Sequence, residues 1–141
     1  MISEIRSYLK SSIKLVDSNL KENKSAFYDS DIGETIIDKS YQIEINNIVN
    51  NVRTEAFEDE MDINVIIFGH GYRSEISNYD DLLDKAICIR DYITDIKNFS
   101  GIETIINIVS NGIGSEQLPG DNSAFKIDIN LTLTQAYSKG E

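Results

Sequence analysis

The chain has 141 residues, 40% of them apolar, which is enough for one domain to bury a single core. Its 24 acidic residues outnumber its 13 basic ones, and the formal net charge is −11. This charge argues against nucleic-acid binding, which needs basic surface to neutralise phosphates. It is compatible with a protein that stays near DNA without sticking to it, or with one that docks on basic partners.

The compartment follows from three features of the sequence. No apolar run approaches the length of a membrane span, and the first residues lack the pattern of a secretory signal. The single cysteine, Cys88, excludes an intramolecular disulfide and a zinc site built from cysteines. We therefore expect a cytoplasmic protein with no membrane contact, and a buried or half-buried, inert thiol at Cys88.

The first half of the chain predicts one helix and two strands. Apolar residues recur every three or four positions and predict an amphipathic helix over residues 3–20, with a polar loop over 21–33. Alternation predicts a strand over 41–45. A second strand is predicted over 61–69, and it is apolar on both faces at 65–68, which is typical of a central strand.

The segment between those two strands, residues 46–62, is rich in asparagine and then acidic. We interpret it as a hairpin with irregular continued pairing, whose far end is exposed and negative. Five carboxylates form this acidic cluster: Glu55, Glu58, Asp59, Glu60 and Asp62. A calcium loop would need alternating ligands and a glycine at the sharp turn, and the run has no glycine. Docking on a basic partner is the remaining functional interpretation.

The second half of the chain predicts another helix and two more strands. Ser77 and Asp80 have the spacing of a capping box at the start of a helix over 78–97. Strands are predicted over 102–110 and 125–137, joined by a loop over 111–122 that holds three glycines and the only proline. Strict alternation over 125–134 predicts a sheet with one apolar face and one polar face.

The element order α-β-β-α-β-β predicts the fold class. We expect a single α+β domain over residues 1–141, a two-layer sandwich with a mostly antiparallel sheet of four to five strands. Two amphipathic helices would cover one face of that sheet. Neither linkers nor internal repeats interrupt the chain.

Catalytic, cofactor and metal motifs are not evident in the sequence. His70 lies between two glycines at a strand end and has no neighbouring catalytic set, so we interpret it as a turn residue. Gly112 and Gly114 resemble part of a dinucleotide fingerprint, but the third glycine and the following helix are missing. We expect no catalysis, no cofactor and no metal.

The order of segments along the whole chain resembles the tail terminator (tail completion) proteins of long-tailed bacteriophages. After the N-terminal amphipathic helix, the segments that carry the resemblance are DKSYQIEI (38–45), FGHGYR (68–73), LLDKA (82–86) and DNSAFKI (121–127). The asparagine-rich residues 46–51 depart from the family pattern.

The resemblance implies an α+β subunit of a hexameric ring in the virion, at the head-proximal end of the tail, assembled in the host cytoplasm. The ring would sit on the last ring of the tail tube, stop tube polymerisation and present a surface to the head connector, while DNA passes through without specific binding. The interaction residues would then be Tyr72 and Arg73 at a strand end, together with Glu55, Glu58, Asp59 and Glu60 of the acidic cluster.

Three alternatives remain at this point. A neck or head–tail connector protein also forms rings and has similar sequence features. A small non-viral protein-binding domain would use the polar sheet face to hold a peptide or an adaptor. An enzyme is supported only by His70 and scattered carboxylates.

Overall fold

A computed structural model of the protein describes residues 2–23, 37–53, 56–119 and 123–138. The elements in chain order are α1 (Ile2–Val16), β1 (Lys21–Glu22), β2 (Ser40–Arg53), β3 (Ala56–Gly69), α2 (Ile76–Thr94), α3 (Ile96–Phe99), β4 (Ile105–Gln117) and β5 (Phe125–Ser138). The strands form one sheet in the order β1-β2-β3-β5-β4.

The sheet is mixed, with one short parallel pair. β1 runs parallel to β2 and pairs with it only at Lys21 and Glu22, whereas the pairs β2–β3, β3–β5 and β5–β4 are all antiparallel. The α+β class and the mostly antiparallel five-stranded sheet predicted from the sequence are confirmed. β3 and β5 are the central strands, and each is paired on both sides.

The helices pack on one face of this sheet. Ile5, Leu9 and Ile13 of α1 are fully buried, because their spacing puts them on one side of the helix. They join a single core with alternate residues of β3 and β5, from Met61 to Ile67 and from Phe125 to Leu133. The Tyr8 hydroxyl donates a hydrogen bond to the backbone oxygen of Ile93, 2.8 Å away, which fixes α1 against α2.

The hairpin predicted over residues 46–62 is confirmed, including its irregular continued pairing, but the acidic residues from Glu58 to Asp62 lie along its second strand and not at its tip. β2 and β3 continue past these residues to Arg53 and Ala56, and β3 pairs with β5 over the same length. Cross-strand amide–carboxylate contacts support the extension, since Nδ2 of Asn50 donates to Oδ1 of Asp59 at 2.9 Å. Polar pairs of this kind give no apolar alternation that a sequence pattern could detect. Glu55 lies outside the described residues.

The predicted loop over 111–122 is also wrong, because most of it belongs to β4. This strand reaches Gln117, which pairs with Phe125. Its register shifts between Ser110 and Gly112, where Gly112 has a φ of +131°. A glycine at a β-bulge leaves the strand intact, whereas in a sequence it is a typical loop signal.

The helix ends differ from the predictions as well. α1 stops at Val16, and the predicted loop at 21–33 begins with the short strand β1. α2 begins at Ile76 with Glu75 as N-cap and no side-chain cap bond, so Ser77 does not form a capping box. α2 ends at Thr94, because the side chain of Asp95 accepts a hydrogen bond from the Lys97 backbone at 3.0 Å and starts α3.

Candidate functional surface: the open face of the sheet

The open face is the side of the sheet opposite the helices, and its side chains form six rows across the strands. In the order β2, β3, β5, β4, row 1 is Ser40, Phe68, Lys126 and Glu116; row 2 is Gln42, Ile66, Asp128 and Gly114; row 3 is Glu44, Asn64, Asn130 and Gly112; row 4 is Asn46, Asp62, Thr132 and Val109; row 5 is Val49, Glu60, Thr134 and Asn107; row 6 is Glu58 of β3 and Ala136 of β5. The predicted polar face of β5 is therefore part of a surface four strands wide.

Each row holds one carboxylate. From row 1 to row 6 these are Glu116, Asp128, Glu44, Asp62, Glu60 and Glu58. Lys126 is the only cation in the six rows, and its Nζ lies 3.8 Å from Glu116 and 3.9 Å from Asp128. Across these six rows carboxylates therefore outnumber cations six to one, and the Lys126 ammonium is already paired.

Asp128 is a partly buried carboxylate beside Lys126. Burial raises its pKa above the usual value; the nearby Lys126 ammonium lowers that pKa, and Glu116 raises it. The net rise means that the site disfavours an ionised carboxylate, even with an ammonium beside it. Asp128 faces Ile66 on one side and Gly114 on the other, and neither offers a hydrogen bond from its side chain.

Neutral amides fill the middle of the open face around a shallow depression of about 370 Å³. Its lining comes from all four long strands: Asn46, Asn47, Asp62, Asn64, Asn111, Asn130 and Leu131. Some of its donors are used locally, since Nδ2 of Asn111 donates to Oγ1 of Thr132 at 2.7 Å. The centre of the face is therefore hydrophilic but offers no cation to an anionic ligand.

At rows 1 and 2 the β3 side chains on the open face are apolar. Ile66 and Phe68 are buried there beneath Leu118 and Ala124, in a cluster separate from the main core. The backbone N–H of Leu118 donates to the Ala124 oxygen at 2.7 Å and holds this cover in place. The prediction that the 65–68 segment is buried on both faces is confirmed.

The interaction residues proposed from the sequence lie at both ends of β3. Glu60 and Glu58 stand on the open face in rows 5 and 6. Asp59 points to the helix side and accepts a hydrogen bond from Nε2 of Gln135, 3.3 Å away. Tyr72 and Arg73 lie beyond the opposite end, and a strand of 14 residues spans about 45 Å at roughly 3.3 Å per residue. The structure thus separates these residues into two groups.

Tyr72 is partly buried against the core. Its ring makes an edge-on contact with Tyr79 at 4.9 Å between centroids and lies 5.9 Å from Phe125. Arg73, the next residue, is exposed. Of these two residues, Arg73 is therefore the one open to a partner, whereas Tyr72 packs against the core.

His70 lies in a turn, as predicted. Its backbone N–H donates to Oδ1 of Asp38 at 2.9 Å, and its oxygen accepts from Nδ2 of Asn78 at 2.8 Å. The following residue, Gly71, has a φ of +89°, a conformation that favours glycine. These contacts join β3, α2 and the segment before β2, so this part of the chain has a structural role.

Cys88 differs from the expectation, because its side chain is exposed on α2. The buried side of that helix is formed by Leu82, Ala86, Ile89 and Ile93. Within the described part of the chain, no group of three or more His, Cys, Asp or Glu side chains is placed to hold a metal ion. None of the described helices is long and apolar enough to cross a membrane.

Comparison of the chain with models of protein families and with curated protein sequences gives no match in either case.

Proposed function

We propose that this protein is a structural virion protein, a tail terminator that caps the phage tail tube as a hexameric ring. The ring would end tube polymerisation and form the tail-side joint to the head connector, at the head-proximal end of the tail. The observation that carries the proposal is the open face, where each of the six described rows has a carboxylate and Lys126 is the one cation among them. No step requires a cofactor, a metal or catalysis.

A surface of this kind suits the wall of a channel for DNA. Fixed carboxylates repel phosphates at distances up to about one Debye length, roughly 8 Å at physiological salt. The amides between them are neutral, and some are already hydrogen-bonded within the sheet, as Asn111 is to Thr132. Six copies carry a formal charge of 6 × −11 = −66, so DNA would pass such a wall without being held.

The two ends of β3 give such a ring two different contact surfaces. At one end Glu58 and Glu60 present negative charge, whereas at the other the exposed Arg73 lies two residues from the exposed Glu75, so both signs are present. A terminator must contact the tail tube on one side and the connector on the other. We propose that these two ends make those two contacts.

Native mass and tube length together test the proposal. The purified chain is measured alone and with the tail-tube protein, and tube lengths are recorded by electron microscopy. A terminator should form a six-copy ring, in solution or on the tube end, and should shorten tubes or make them uniform. A stable monomer that leaves tube polymerisation unchanged would overturn the proposal.

Two other functions would use parts of the same surface. A neck or head–tail connector protein would also use a negative wall, and a ring of twelve copies in the native-mass measurement would favour it. A small protein-binding domain would use the amide-lined depression around Asn64 and Asn130 to hold a peptide backbone. A monomer that binds an extended peptide there would favour that function.

A further inference from the structure

Two long strands, β4 and β2, lie at the edges of the sheet that the described residues form. Within the described residues, no strand pairs with the outer side of β4, and β1 covers β2 only at Ser40 and Tyr41. Along most of each edge, the described part of the chain supplies no strand partner for the outward backbone N–H and C=O groups. Unpaired edges are templates for pairing with another chain, and proteins usually protect them.

The usual charged protection is almost missing from both edges. β4 has one charged residue among 13, Glu116, and β2 has two among 14, Glu44 and Arg53. Neither strand contains lysine or proline, the residues that most often block an edge. By contrast, the inner strand β3 holds four acidic residues among its 14.

Exposed apolar side chains stand at the same level on the two edges. On β4, Ile106 is 44% exposed and Val109 is 43% exposed. On β2, Ile48 is 53% exposed and Val49 is 56% exposed. All four lie at rows 4 and 5 or in the bulges beside them, so each edge carries a small apolar patch at one height along the sheet.

Strand direction determines how two copies fit together. β2, β3, β5 and β4 alternate in direction, so β4 runs antiparallel to β2. A neighbouring copy in the same orientation therefore offers its β2 antiparallel to β4, with rows 4 and 5 level on both sides. A two-fold pairing of β4 with β4 about residue 111 would instead place Ile106 opposite Glu116.

We propose that β4 of one copy pairs with β2 of the next copy, so that the sheet continues from subunit to subunit. This contact is heterologous, the type that closes rings. The bulges at Asn46–Val49 and Ser110–Gly112 bend the strands, which favours a curved assembly over a flat one. The inference rests on the proposed ring and names the surfaces that form it.

Engineered cysteines test this pairing directly. In a Cys88→Ser background, one variant carries Val109→Cys with Val49→Cys, and another carries Asn107→Cys with Val49→Cys. Within one copy, β2 and β4 are three strand spacings apart, about 14 Å. A disulfide needs Cα atoms within about 7 Å, so any bridge must join two copies.

The expected result under oxidising conditions is a covalent ladder that ends at the closed ring for at least one double variant. Each single-cysteine variant should stay monomeric on a non-reducing gel. A covalent dimer from Val109→Cys alone would show two-fold β4–β4 pairing and overturn the proposal. Absence of bridges from both double variants would overturn it too.

Tube-length measurements on the same proteins separate this inference from the proposed function. Rings that cross-link through β4 and β2 but leave tube length unchanged would refute the terminator function and keep the edge pairing. A protein that controls tube length and forms rings without these bridges would refute only the edge pairing.

Discussion

Nδ2 of Asn47 donates a hydrogen bond to Oδ2 of Asp62 at 2.9 Å, at the point where β2 shifts its register against β3. Asn47 has a φ of +50°, in the left-handed region that asparagine tolerates better than most residues. The contact therefore joins a backbone irregularity on an edge strand to a carboxylate of the open face.

Two substitutions at Asn47 should distinguish the effect of its backbone conformation on stability from the effect of its side-chain hydrogen bond. Asn47→Val places a β-branched residue in the left-handed region and should lower the free energy of unfolding by about 1–2 kcal/mol. Asn47→Gly also removes the hydrogen bond to Asp62, but glycine adopts the left-handed conformation without strain. This variant should therefore lose less than about 0.5 kcal/mol of unfolding free energy. Urea unfolding measures both. Equal losses would mean that the hydrogen bond matters and the conformation does not.

Gly69 ends β3 where there is no room for a side chain. A Cβ atom there would lie 2.6 Å from Cδ1 of Leu82 and would also meet the ring of Phe125. Gly69→Ala should therefore cost about 1–3 kcal/mol of stability through overpacking. Gly114→Ala is the matched control, since a Cβ at Gly114 meets nothing within 4 Å. Similar thermal melts for the two variants would contradict this view of the β3 end.

The pKa of Asp128, raised mainly by burial, makes stability depend on pH. The folded protein binds this proton more tightly than the unfolded chain does, so the contribution of Asp128 falls as the pH rises through its raised pKa. Asp128→Asn should thus be more stable than the parent at neutral pH, and the gain should shrink in acid. Glu116→Gln, at a side chain 65% exposed, should change little at any pH. A gain in stability for Asp128→Asn that persists in acid would contradict a raised pKa at Asp128.

Reversing charge on the open face should create DNA binding. The double variant Glu60→Lys, Asp62→Lys removes two of the six carboxylates in the rows and adds two ammonium groups. It should retard a DNA duplex in a gel at low salt, and retardation should fall steeply as salt rises. The unaltered protein should not retard the duplex.

The control for this experiment reverses two exposed carboxylates on the helix side, Asp81→Lys and Asp84→Lys on α2. It has the same net charge as the open-face variant. If DNA passes along the open face of a ring, the control should bind DNA more weakly. Equal retardation by both variants would mean that only net charge matters and would weaken the case for a channel wall.

The parts of the fold that could be predicted are those where one side is buried. Ile5, Leu9 and Ile13 face the core at helical spacing, and residues 125–133 alternate because one face of β5 packs under the helices. For the outer halves of β2 and β3 the sequence indicates only a hairpin with irregular pairing, because the length and register of these strands depend on backbone bonds and on contacts such as Asn50 to Asp59. A pattern of apolar residues does not reveal such polar contacts.

The open face was only half predictable for a related reason. The polar side of β5 follows from its alternation, but row 3 joins Glu44, Asn64 and Asn130 from distant parts of the chain. Such rows depend on strand order and register, which one sequence does not reveal. The alignment of one carboxylate per row therefore became visible only with the paired strands.

The small number of charged residues on the edge strands affects how copies would associate at different salt concentrations. Three of the open-face carboxylates lie on β3, and edge pairing would hold the β3 strands of adjacent copies four spacings apart, about 19 Å. That is roughly two Debye lengths at physiological salt, so these charges would scarcely oppose assembly. We therefore expect the ring to tolerate dilution of salt from 150 mM to about 50 mM, where the Debye length is still only about 14 Å. Analytical ultracentrifugation over that range would measure this; dissociation on dilution of salt would mean that Glu44 and Glu116, the carboxylates on the two paired edges, oppose the contact.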